Sequence, residues 1–111
     1  MQINENYLGG FSRDALKILL YMIKKHPKKL VFTDDELGKI IGMQGRGLGG
    51  VLGAFSQKSQ LSLIIKFGKI MHSWSGEKFS KPKQTWAINP KLTKEQIKEI
   101  REILDNFLLE V

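Results

Sequence analysis

The hydrophobic period of this chain changes partway along it, from helical spacing to strand-like composition and back to helical spacing. In 111 residues that sequence of periods leaves room for one α+β domain and one core, spanning 1–111. The first periodic segment runs from Ser12 to Lys25: Leu16, Leu19, Leu20 and Ile23 recur at i, i+3, i+4 and i+7. Ser12 is placed as an N-cap, Asp14 falls in the first turn, and Lys24, Lys25 and Pro27 supply the stop. Ala15, Ile18 and Met22 widen the apolar arc beyond a single contact face, so this helix is either central or part of an interface. The run Leu30-Val31-Phe32 predicts a short strand. Thr33 and Glu36 then have capping-box spacing and open a second helix that carries Leu37, Ile40 and Ile41 and ends near Gly42.

Two signals conflict in the next segment. Gly45, Gly47, Gly49, Gly50 and Gly53 argue for a loop, because an interior glycine weakens a helix by about 1 kcal/mol. Leu48, Val51, Leu52 and Phe55 nevertheless fall at i, i+3, i+4 and i+7, and this full helical face predicts a third helix over 46–58. From Leu61 to Trp74 the residues are strand formers, interrupted at Gly68 by a bulge or bend. A turn-rich basic stretch follows through Lys83, and Thr85-Trp86-Ala87-Ile88 reads as the returning strand of a hairpin with a long charged tip over 73–83. Trp86 is expected to pack the hairpin on the core rather than stack on a base, and for Phe79 core packing is one of the two open readings. Thr93 and Gln96 repeat the capping-box spacing and start a last helix within 93–111.

The net charge of +7 is uneven. Residues 37–94 hold ten bases and one acid, Glu77, for +9, whereas the two ends together sum to −2. Such an imbalance points to a polyanionic partner. The absence of cysteine excludes a disulfide framework, a thiolate metal site and a cysteine nucleophile. His26 and His72 have no neighbours in sequence that suggest a triad or a metal site, so no enzyme, metal or cofactor is expected. Gly45 to Gly50 matches G-x-G-x-x-G, but the segment before it reads as helix, no acid lies between Glu36 and Glu77, and the chain is too small for a doubly wound domain. With no spanning segment and no secretory leader pattern, a cytoplasmic location away from membranes is expected, and no small-molecule ligand is evident.

The order helix, strand, helix, helix, strand, basic wing, strand, helix resembles the winged helix-turn-helix superfamily, especially small prokaryotic and archaeal regulators that bind DNA. The resemblance rests on element order and length. It implies that helix 46–58 enters the major groove of double-stranded DNA and that wing 73–83 touches the backbone or minor groove. The outward stripe of that helix is Arg46, Gly49, Gly50, Gly53 and Gln57, with Gln44 and Lys58 at its ends, a face that admits close approach but carries few side chains to read bases. Lys69, Trp74, Lys78, Lys81 and Lys83 are the expected contacts from the hairpin. Ile97, Ile100, Leu104 and Phe107 at a/d spacing, with Leu108, are the expected interface of a homodimer. The competing reading is a winged-helix module that docks a protein partner through the same bare face and last helix.

Overall fold

A computed structural model describes residues 11–43, 46–57, 63–73 and 76–109, with the backbone alone at 46, 54–57 and 107–109. Helix α1, Arg13–Lys25, begins where Ser12 Oγ accepts the Ala15 N–H at 3.2 Å. It ends at His26, whose extended backbone turns away while its N–H bonds the carbonyls of Met22 and Ile23. Ala15, Leu16, Ile18, Leu19, Met22 and Ile23 are all buried within the chain, so the wide apolar arc belongs to a central helix. Around it pack the later helices and the inner face of the sheet.

Strand β1 is Phe32–Thr33, shifted by two residues from the apolar run, and Leu30 is left exposed. Thr33 is at once a strand residue and the N-cap of helix α2, Asp34–Ile41, since its extended backbone suits both and its Oγ1 accepts the Glu36 N–H at 3.2 Å. Only half of the capping box is used for the cap: the Glu36 carboxylate is engaged by Tyr21 and Lys29. Gly42 closes α2 in the left-handed region, φ 66°, and the N–H groups of Gly42 and Met43 both reach the Gly38 carbonyl. The chain folds so tightly here that a Cβ on Gly38 would lie 2.3 Å from the Met43 carbonyl oxygen. That contact fixes the turn into helix α3, Arg46–Gln57.

In α3 periodicity prevails over propensity. Leu48 and Leu52 are buried against β2 and α1, and their burial offsets the helical weakness of the glycines between them. Strands β2, Ile64–His72, and β3, Lys78–Ile88, complete an antiparallel sheet of order β1-β3-β2. Lys66 pairs with Trp86 and Gly68 with Thr85, so Phe67 is the extra residue of a bulge. Gly68 there has φ 150°, and the Thr85 hydroxyl donates to its carbonyl at 2.7 Å.

The hairpin departs from expectation at its tip. Residues 78–83, read as loop from their turn-forming composition, belong to β3, and the connection shrinks to 73–77. Ser73 and Glu77 close it through Ser73 N–H to the Glu77 carbonyl at 2.7 Å and Glu77 N–H to Ser73 Oγ at 2.9 Å. The ladder beyond is irregular: Ile70 pairs with Lys83 but His72 with Lys78, so residues 79–82 lie opposite Met71 alone. Pro82, which has no N–H to donate, sits in that widened stretch.

Helix α4, Lys94–Leu109, starts with a reciprocal capping box, Gln96 N–H to Thr93 Oγ1 at 3.1 Å and Thr93 N–H to Gln96 Oε1 at 2.9 Å. It packs on α1, and Ile100 and Leu104 are completely buried there, with Ile97 and Ile103 beside them. This corrects the expected dimer seam: Ile100 and Leu104 are spent on the chain's own core, while the side chains of Phe107 and Leu108 lie outside those described. Trp86 packs in the same core, as its sequence position suggested.

Candidate nucleic-acid interface

The register of α3 follows from its two buried leucines. With Leu48 and Leu52 turned inward, Gly49 and Gly50 are exposed and Gly53 half-exposed on the far side. A Cβ built on any of the three would meet nothing within 4 Å. The face is therefore open, and a partner can approach the helix to within backbone distance. Gln44, Lys58 and Trp74 lie outside the described residues, as do the side chains of Arg46 and Gln57.

Helix α3 packs on β2 of the hairpin through its inward side, opposite this face. Lys69, Lys78 and Lys81 are exposed, and none of them has an acidic partner among the described residues. Lys66 on β2 and Lys39 in the last turn of α2 are also exposed and unpaired among the described residues. Sequence reasoning missed these two, though the basic excess of 37–94 contained them. Lys83 differs. It is half-buried, and its ammonium lies 2.5 Å from Asp35 Oδ2 at the start of α2. The hydrogen bond to Asp35, reinforced by the charges of Asp35 and Asp34, holds Lys83 above the ordinary lysine range. Lys83 thus anchors the hairpin to α2 rather than standing free.

The sheet face that carries Thr33 and Thr85 bears a concavity of about 500 Å³ lined by Phe67, Ile70 and Phe79, with Lys29 and Glu36 at its rim. Phe79 is half-buried here, because the widened ladder leaves it outside the regular pairing. Phe67 projects from its bulge and is 61% exposed. The rim charges satisfy one another: Glu36 accepts from Lys29 and, at 2.8 Å, from the Tyr21 hydroxyl. Burial, and then the acceptor and charge of Glu36, push the Tyr21 phenol up to about 12.

Among the described residues, no helix is long and apolar enough to cross a membrane, and no group of three or more His, Cys, Asp or Glu side chains is placed to hold a metal ion. No known protein family, curated protein or solved structure matches the chain.

Proposed function

We propose that the chain is a winged-helix protein that binds double-stranded DNA, in a regulatory or nucleoid-associated role. The observation that carries this reading is a hairpin whose exposed Lys69, Lys78 and Lys81 have no acidic partners among the described residues, in a chain whose helix α3 also presents an open glycine face. Each lysine neutralises a phosphate and releases condensed counterions, which makes association favourable and strongly salt-dependent. The bare stretch from Gly49 to Gly53 lets the helix backbone lie close to the duplex. Gln44, Arg46, Gln57, Lys58 and Trp74, at the edges of the two elements, are the contacts proposed to read or position bases. The Lys83–Asp35 pair ties the hairpin to the start of α2, which keeps Lys83 from acting as a free phosphate contact.

Fluorescence anisotropy with a labelled duplex at several salt concentrations tests the reading. The slope of log affinity against log salt is expected to reach about −0.9 per neutralised phosphate. Replacing Lys69, Lys78 and Lys81 with glutamate should flatten that slope and weaken all duplexes alike, because phosphate contacts carry no sequence information. No association at low salt refutes the DNA reading and favours a protein-docking module.

A further inference from the structure

A second cationic surface lies outside α3 and the hairpin, where the end of α1 meets the first turns of α4. A groove of about 400 Å³ runs there, floored by Ile23, Pro27 and Ile97. Its wall is Lys94, Lys98 and Arg101, with His26 at one end. Spacings of four and three residues put those three cations on one stripe of α4 beside Ile97. All three are exposed, and none has an acidic partner among the described residues. The α4 acids Glu95, Glu99 and Glu102 follow the same spacing one residue further on, so they form the neighbouring stripe. The helix segregates charges that the sequence total hides, since residues 95–111 sum to −3.

Three exposed cations over an apolar floor select an anion that also carries apolar surface. A long polyanion fits poorly. A nucleic-acid strand has no need of the floor, and continuing across α4 it would meet the Glu95, Glu99 and Glu102 stripe. A short peptide confined to the groove avoids that repulsion and uses both features. We propose that this groove docks a short acidic and apolar segment of a partner protein. Its apolar side chain rests on Ile23, Pro27 and Ile97, and its carboxylates pair with Lys94, Lys98 and Arg101. This surface is separate from α3 and the hairpin, and the inference stands whether or not the hairpin binds DNA.

The test uses a fluorescein-labelled ten-residue peptide of alternating glutamate and leucine, and a control with serine in place of leucine, both at physiological salt. The leucine peptide is expected to bind at least about tenfold more tightly than the serine peptide. The exposed pair Lys98→Glu with Arg101→Glu should weaken the leucine peptide by about tenfold or more, whereas Lys78→Glu with Lys81→Glu should change it less than about twofold. Ile97→Ser should weaken the leucine peptide and leave the serine peptide unchanged. The proposal is overturned if the leucine peptide does not bind at millimolar concentration, if both peptides bind equally, or if the hairpin variant loses as much affinity as the groove variant. A duplex whose affinity falls as steeply with the groove variant as with the hairpin variant puts nucleic acid in the groove and equally overturns it.

Discussion

Alanine at the glycines of α3 should stabilise the fold, and the same substitution one helix earlier should destabilise it. Gly49, Gly50 and Gly53 have helical backbone, and their added Cβ meets nothing within 4 Å. Each replacement therefore gains helix propensity and removes unfolded-state entropy without a steric penalty, about 0.4–1 kcal/mol apiece. The triple variant should gain about 2 kcal/mol, and at about 4 °C per kcal/mol for a chain of this length its midpoint should rise by about 8 °C. Gly38→Ala meets the opposite geometry, a backbone oxygen at 2.3 Å and Leu48 Cδ2 at 3.1 Å. Overpacking of about 1–3 kcal/mol outweighs the propensity gain of about 1 kcal/mol. Thermal melts and urea titrations at unchanged m-value measure both signs. A lower midpoint for Gly49→Ala or Gly50→Ala refutes the open face. Retention of four glycines in a helix they weaken has a purpose under the proposed function, so duplex affinity should fall as stability rises, further still for Gly50→Leu. A stabilised variant with unchanged affinity excludes the glycine face from the contact.

In a Tyr7→Phe background, ultraviolet absorbance should follow Tyr21 ionising at about 12, and Glu36→Gln should bring it part of the way back, burial remaining. The raised phenol stabilises the fold fully below about pH 10, the unfolded value, and that contribution should vanish as pH climbs from 10 to 12; a transition at 10 in the native protein contradicts the burial. Leu104→Ala should destabilise by about 2–5 kcal/mol with a melting midpoint independent of protein concentration, because the side chain packs within its own chain; a midpoint that rises with concentration returns α4 to an interface. Asp35→Asn releases Lys83 and removes a charge that repels phosphate, so duplex affinity should increase and the salt slope steepen by up to about 0.9. A loss of affinity in that variant means the anchored hairpin matters more than the freed cation.

Helix positions were legible wherever a local rule operates. Ser12, Thr33 and Thr93 each cap the helix their spacing announced, and the 3.6-residue period of Leu48, Val51 and Leu52 located α3 in spite of its glycines. The Gly68 bulge and the inward Trp86 were legible for the same reason, since each follows from backbone freedom or bulk at a single position. Long-range contacts decided the rest. Thr33 and Thr93 have alike surroundings in sequence, yet only the second forms a reciprocal box, because Tyr21 and Lys29 come from elsewhere in the chain to occupy Glu36. Residues 78–83 have the composition of a loop, and the strand extends over them because β2 pairs with both ends, Ile70 with Lys83 and His72 with Lys78; a ladder depends on its partner more than on its own side chains. Apolar spacing in α4 determined that Ile100 and Leu104 would be buried, but burial is indifferent to which surface excludes the water, and only packing on α1 assigned them to this chain rather than to a second copy.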